Sequence, residues 1–85
     1  EHFVDKHMDE LIQRVGNILP ILDKLLKAKV IQSETYDDIS AERTSQGKMR
    51  ALYRGPLRAS REVKDIFFDI LKAQEHFLIE DLMKT

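Results

Sequence analysis

Eighty-five residues without a single cysteine leave few side chains able to do chemistry. Near the start, His2, Asp5, Asp9 and Glu10 are of the types that ligate metal ions. On a helix His2 and Asp5 share a face, but no third ligand follows at the spacing that a zinc or di-metal site needs. His7 falls beside an apolar ridge and reads as a satisfied boundary residue. Asp37 and Asp38 are adjacent carboxylates, yet neighbours on a helix point to different sides and cannot share a proton as a dyad. There is no thiolate, no G-x-S-x-G elbow and no glycine-rich phosphate loop, and only three glycines occur in the chain. These residues predict no catalysis, no metal and no cofactor.

Charge offers more. The net charge is −1, but the total conceals a segregation. Residues 30–42 carry Glu34, Asp37, Asp38 and Glu42 and no base. Residues 43–64 carry Arg43, Lys48, Arg50, Arg54, Arg58, Arg61 and Lys64 against Glu62 alone. A molecule with an acidic and a basic region can attract another copy of itself. The plain alternative is that both runs are solvated helix faces. A second alternative is a small helical nucleic-acid-binding domain docking through residues 43–64. The acidic segment would repel phosphate, and Tyr53 is the only aromatic among the bases, which weighs against it. Tyr53, Arg54 and the Gly55–Pro56 corner suggest a secondary, less charged contact, unless Tyr53 is core with its hydroxyl at the rim.

The elements that must position these groups are helical, with no useful alternating strand pattern. In the first, Val4, Met8, Ile12 and Val15 form a ridge, with Phe3, His7 and Leu11 beside it. Gly16–Asn17 predicts a kink or break, and Pro20 suits the first turn of a new helix. That helix buries Ile21, Leu22, Leu25 and Leu26, exposes Asp23, Lys24 and Lys27, and ends softly near Ala28–Lys29. Ser33 is the expected N-cap of a short helix with Tyr36 and Ile39 inward and Asp37 and Asp38 outside. Thr44 or Ser45 caps the next, whose stripe is Met49, Leu52 and Tyr53 and whose outer face is Lys48, Arg50 and Arg54. Gly55–Pro56 stops it. Ser60 opens a helix with Val63, Ile66, Phe67, Ile70 and Leu71 at i, i+3, i+4, i+7 and i+8. A weak break at Gln74–His76 leads to a last helix with Leu78 and Leu82 inward. About six amphipathic helices joined by short turns suit an antiparallel bundle.

Length allows one domain over residues 1–85, too small to enclose a deep cleft easily. A hydrophobic share of 42% and a charged share of 34% are globular values, which disfavours disorder. No apolar run could span a bilayer, and EHFVDKH is not a signal peptide, so the expected setting is cytosolic. A chain that opens without Met is expected to be a module, C-terminal in position, of a longer protein.

HFVDKH at 2–7, LIQRV at 11–15, Asn17, DKLL at 23–26, SETY at 33–36, KMRALY at 48–53 and FLIEDL at 77–82 occur in characteristic order. Together they resemble a caspase-recruitment domain (CARD) of the inflammasome type, from about residue 2 to 83. The likeness is nearest to the CARD of the speck-forming adaptor or the C-terminal CARD of an NLR sensor. The resemblance implies an all-α, six-helix antiparallel Greek-key bundle, the death fold, with its first helix kinked or broken. It also implies homotypic binding to other CARDs, and no nucleic acid or membrane as partner. In that family an acidic face on helices two and three meets a basic face on helices one and four of the next copy. Carried over by position, the acidic face is Asp23, Glu34, Asp37 and Asp38, and the basic face is Arg14, Lys48 and Arg50. Met8 stands where related CARDs often have a base, which shifts weight to Arg14 and Arg50. The stretch Leu26–Lys29 is one residue longer than in the adaptor. The implied role is a scaffold that recruits an inflammatory caspase, forming homo-oligomers or filaments at high concentration.

Overall fold

The structure, a computed structural model, describes residues 1–84. Seven α-helices run in order: α1 Phe3–Lys6, α2 Met8–Arg14, α3 Leu19–Lys27, α4 Ser33–Ser40, α5 Ser45–Arg54, α6 Arg61–Gln74 and α7 His76–Met83, with a 3-10 turn at Pro56–Arg58. There is no strand among the described residues. Helices α1 and α2 are the halves of one broken element, so six helical positions make the bundle. Chain neighbours α3 and α4, α4 and α5, and α6 and α7 pack together, but α3 also packs on α6, α2 on α5 and α1 on α6. These crossings between elements distant in sequence make it a Greek-key death-fold bundle rather than an up-and-down one.

The break in the first element falls at His7, whose φ of −104° and ψ of 25° leave the helical region. The restart rotates Met8 out of the ridge. Val4, Ile12, Val15 and Leu11 are buried as expected, but Met8 is 40% exposed. At Gly16–Asn17 the chain stops being helical altogether and resumes at Leu19, with Pro20 in the first turn. Pro lacks the amide hydrogen that the first turn cannot use, so it fits there without loss.

Helix α3 buries Ile21, Leu22 and Leu25, while Leu26 is only half-buried. Its end is well defined. The Lys29 amide donates to the Leu26 carbonyl and the Val30 amide to the Leu25 carbonyl, both at 3.0 Å, the paired bonds of a Schellman motif. The motif needs a left-handed residue, and Lys29 supplies it at φ 61°. A Cβ there is strained, whereas glycine is not. Lys29→Gly should therefore stabilise the domain by about 0.5–1 kcal/mol after the loss of chain entropy is counted. A melting temperature a few degrees higher, unmatched by Lys29→Ala, is the expected reading.

Helix α4 starts one residue earlier than its composition suggests. Gln32 takes the N-cap position and Ser33 the first turn, with no side-chain cap bond. Thr44 caps α5 by accepting from the Gly47 amide at 2.9 Å, and Ser60 caps α6 by accepting from the Val63 amide at 3.2 Å. In α6 only Phe67 and Leu71 are fully buried; Val63, Ile66 and Ile70 are partly covered at the core's edge. Helix α7 contributes Leu78, Ile79 and Leu82.

The short α1 is pinned from three sides. His2 Nδ1 accepts from the Val4 amide at 3.1 Å, which places the ring hydrogen on Nε2, 2.7 Å from Asp65 Oδ1 on α6. Lys64 Nζ donates to Asp5 at 2.7 Å. The Tyr53 hydroxyl donates to the Val4 carbonyl at 2.6 Å. His2 and Asp5 thus turn to separate partners and do not converge on a common point.

Candidate protein-interaction site

Two faces of opposite charge emerge from these elements. On α3, Asp23 sits one turn after Leu19 and three residues before Leu26, which keeps it on the outer side of the buried stripe. On α4, Glu34, Asp37 and Asp38 are exposed while Ile39 is buried. The Tyr36 hydroxyl donates to Asp23 Oδ1 at 2.6 Å and ties the two helices together. That bond to a carboxylate, with burial a smaller cause, raises the pKa of the phenol, because ionising it would set two anions together. The four expected acids therefore lie on adjoining helices in water. None of Glu34, Asp37 and Asp38 has an ion-pair partner among the described residues.

The expected bases fare unequally. Arg14 is occupied: its guanidinium lies 2.9 Å from Asp81 on α7 and 3.5 Å from Glu10 one turn back. The hydrogen bond to Asp81 raises its pKa. Lys48 is half-buried, and its ammonium donates to the Glu42 carbonyl, closing the turn before α5. Arg50 is exposed, with no ion-pair partner among the described residues. Arg54 and Arg58 are exposed in the same unpaired state. The available positive charge is thus concentrated at the α5 end of the predicted face.

Tyr53 resolves in favour of the core. It is 7% exposed, its hydroxyl is spent on Val4, and burial pushes its pKa well up. Only Arg54 of that pair is free to touch a partner as a surface group.

Periodicity within single helices offers no sign of the groove of about 530 Å³ that lies between α2 and α5. Its floor is the buried Ile12, Tyr53 and Leu57; Met8 and Asp9 stand at one wall and Arg50, Arg54 and Arg58 at the other. The arginines are spaced four residues apart, although the last lies beyond the end of α5. Lys64 and Asp5, paired with each other, close one end. An open trough with an apolar floor and a basic wall can hold the apolar part of a partner whose rim is acidic.

The family model for the caspase recruitment domain matches residues 1–85. Among curated relatives, the chain is 43% identical over 83 residues to the rat "NACHT, LRR and PYD domains-containing protein 1a allele 1" (Rattus norvegicus), covering 98% of this chain and 7% of that protein. It is 44% identical over 82 residues to the "Apoptosis-associated speck-like protein containing a CARD" of Danio rerio, covering 95% of this chain and 40% of that protein. The mouse "NACHT, LRR and PYD domains-containing protein 1b allele 1" (Mus musculus) is 40% identical over 83 residues, again over 98% of this chain and 7% of the relative. This chain therefore spans less than half the length of each of these relatives. No helix among the described residues is long and apolar enough to cross a membrane. A match over the whole chain, on a death-fold bundle, makes this chain a member of the caspase recruitment domain family.

Proposed function

We propose that this domain is a homotypic CARD–CARD interaction module that builds an inflammasome scaffold in the cytosol and brings an inflammatory caspase into it. The caspase supplies the chemistry by proximity, and the domain itself catalyses nothing. One observation carries the reading: exposed carboxylates on α3 and α4, those of α4 with no ion-pair partner among the described residues, stand apart from exposed arginines at the end of α5 that also have none. Asp23, Glu34, Asp37 and Asp38 form the acidic face. Arg50 leads the basic face, with Arg14 and Lys48 in support and Arg54 at its margin. Because the two faces differ, each copy uses one face toward each neighbour, and the contact propagates instead of closing into a dimer. Partners are further copies, the CARDs of adaptors or sensors, and a caspase CARD. The same logic suits a module carried within a longer protein.

Exposed ion pairs are worth about 0–1 kcal/mol each, so several contacts per subunit must act together. Assembly should therefore weaken as salt rises and the screening length falls below about 8 Å. Negative-stain microscopy of the isolated domain across a salt series tests this. Filaments at low salt that shorten or vanish above physiological salt are the expected result. Filaments that thicken in high salt would sink the charged-face account, and retention on DNA in proportion to its charge would favour a nucleic-acid role.

A further inference from the structure

The acidic and basic faces each carry an exposed apolar residue that the bundle does not use. On the acidic side it is Leu19, 47% exposed in the first turn of α3. It precedes Asp23 by four residues, so the two side chains lie on one face of the helix. On the basic side it is Met8, 40% exposed on the wall of the groove that Arg50 also lines. Two acid–base faces would ordinarily be expected to meet through charge alone. Here each offers an aliphatic side chain beside its charge, and the groove between Met8 and Arg50 has an apolar floor.

We propose that the groove between α2 and α5 receives Leu19 from a second copy of this chain, which packs against Met8 while the second copy's acidic face engages Arg50. This rests on the proposed homotypic function and adds an apolar centre to its charged rim. Charge complementarity selects the occupant, because Leu19 arrives one turn from Asp23, and Arg50 borders the cavity that accepts it. Interfaces draw most of their affinity from such small desolvated centres, while rim charges steer encounter and orientation. The pair also confers specificity. A partner with a basic side chain at the position of Leu19 would bring that charge against Met8 and beside Arg50, Arg54 and Arg58.

The test is a charge swap at the two positions. Both side chains are exposed, and a carboxylate in the first turn of α2 suits the helix dipole, so folding should be nearly unaffected. Leu19→Lys alone should weaken self-association, measured by light scattering, by about tenfold or more, because it meets the arginines of the groove, and Met8→Glu alone should do likewise, because it meets the acidic face. The double variant Leu19→Lys/Met8→Glu should recover association and become more sensitive to salt than the original. A second measurement uses the absence of cysteine in the chain. Under mild oxidation, a mixture of Leu19→Cys and Met8→Cys proteins should yield mixed disulfide dimers well above either homodimer. Single swaps without effect, a double variant no better than the singles, or no excess of mixed dimers would overturn the proposal. If these fail while reversal of Asp23 or Arg50 still blocks assembly, the charged-face reading survives without its apolar centre. If reversing those charges also does nothing, the homotypic reading falls with it.

Discussion

Phe67→Ala is expected to lower stability by about 3–5 kcal/mol, enough to unfold much of the population at body temperature. Phe67 has 0% exposure and is the largest of the fully buried side chains. It sits on α6, which packs against α1, α3 and α7 and so links most of the bundle. Removing the ring leaves a cavity among elements that cannot all close on it. Domains of this size possess roughly 5–15 kcal/mol in total, and each kcal/mol moves the melting temperature by about 4–8 °C. Ile70→Ala, one turn further along the same helix, should cost much less because Ile70 is already half in water. Thermal melts followed by circular dichroism would show the contrast. Equal losses at the two positions would mean that α6 is rotated from the phase described.

The second large effect concerns assembly and should leave the fold nearly untouched. Asp23→Arg and Arg50→Asp each change an exposed residue, and surface changes of this kind usually shift stability by within about 0.5 kcal/mol. Asp23→Arg additionally loses the hydrogen bond from Tyr36, a further cost of about 1 kcal/mol. Each reversal should nonetheless abolish filaments, because like charges then face each other at every junction. Mixing the two proteins is more telling. The Asp23→Arg protein keeps its basic face and the Arg50→Asp protein keeps its acidic face, so one native contact can form between them and no second can follow. Analytical ultracentrifugation should show heterodimers and nothing longer. Filaments from either protein alone would rule out these faces as the driving contact, and a mixture that stays monomeric would mean that the two faces are not partners.

The helix order, the caps at Ser60 and at Thr44 or its neighbour Ser45, and the stop at Gly55–Pro56 were legible in the sequence because each rests on a local rule. A capping hydroxyl three residues before an amide, or a proline after a glycine, acts on its own neighbours. The misplaced residues share a different cause. The interruption at His7 has no glycine or proline to announce it, so a continuous helical phase put Met8 inside when it lies outside. Ile70 continued a stripe that the neighbouring helices only half cover. Arg14 looked free because its partner, Asp81, is 67 positions away, and Tyr53 stayed open between contact and core because the Val4 carbonyl that claims its hydroxyl is 49 away. The groove could not be read at all, since its walls come from α2 and α5 and its end from α6. What periodicity supplies is the inward or outward sense of each helix. Which charges are left unpaired depends on how the helices cross.

Helix α1 has only four residues, fewer than an isolated helix needs to persist in water. Its order is therefore conferred by Tyr53 on α5 and by Lys64 and Asp65 on α6. Its backbone amides should exchange with solvent not at a rate of their own but at the rate at which those two helices release it. Two helices far from it in sequence thus share one gauge, and a spectroscopic probe on this first turn would record the loosening of either before the rest of the molecule changed shape.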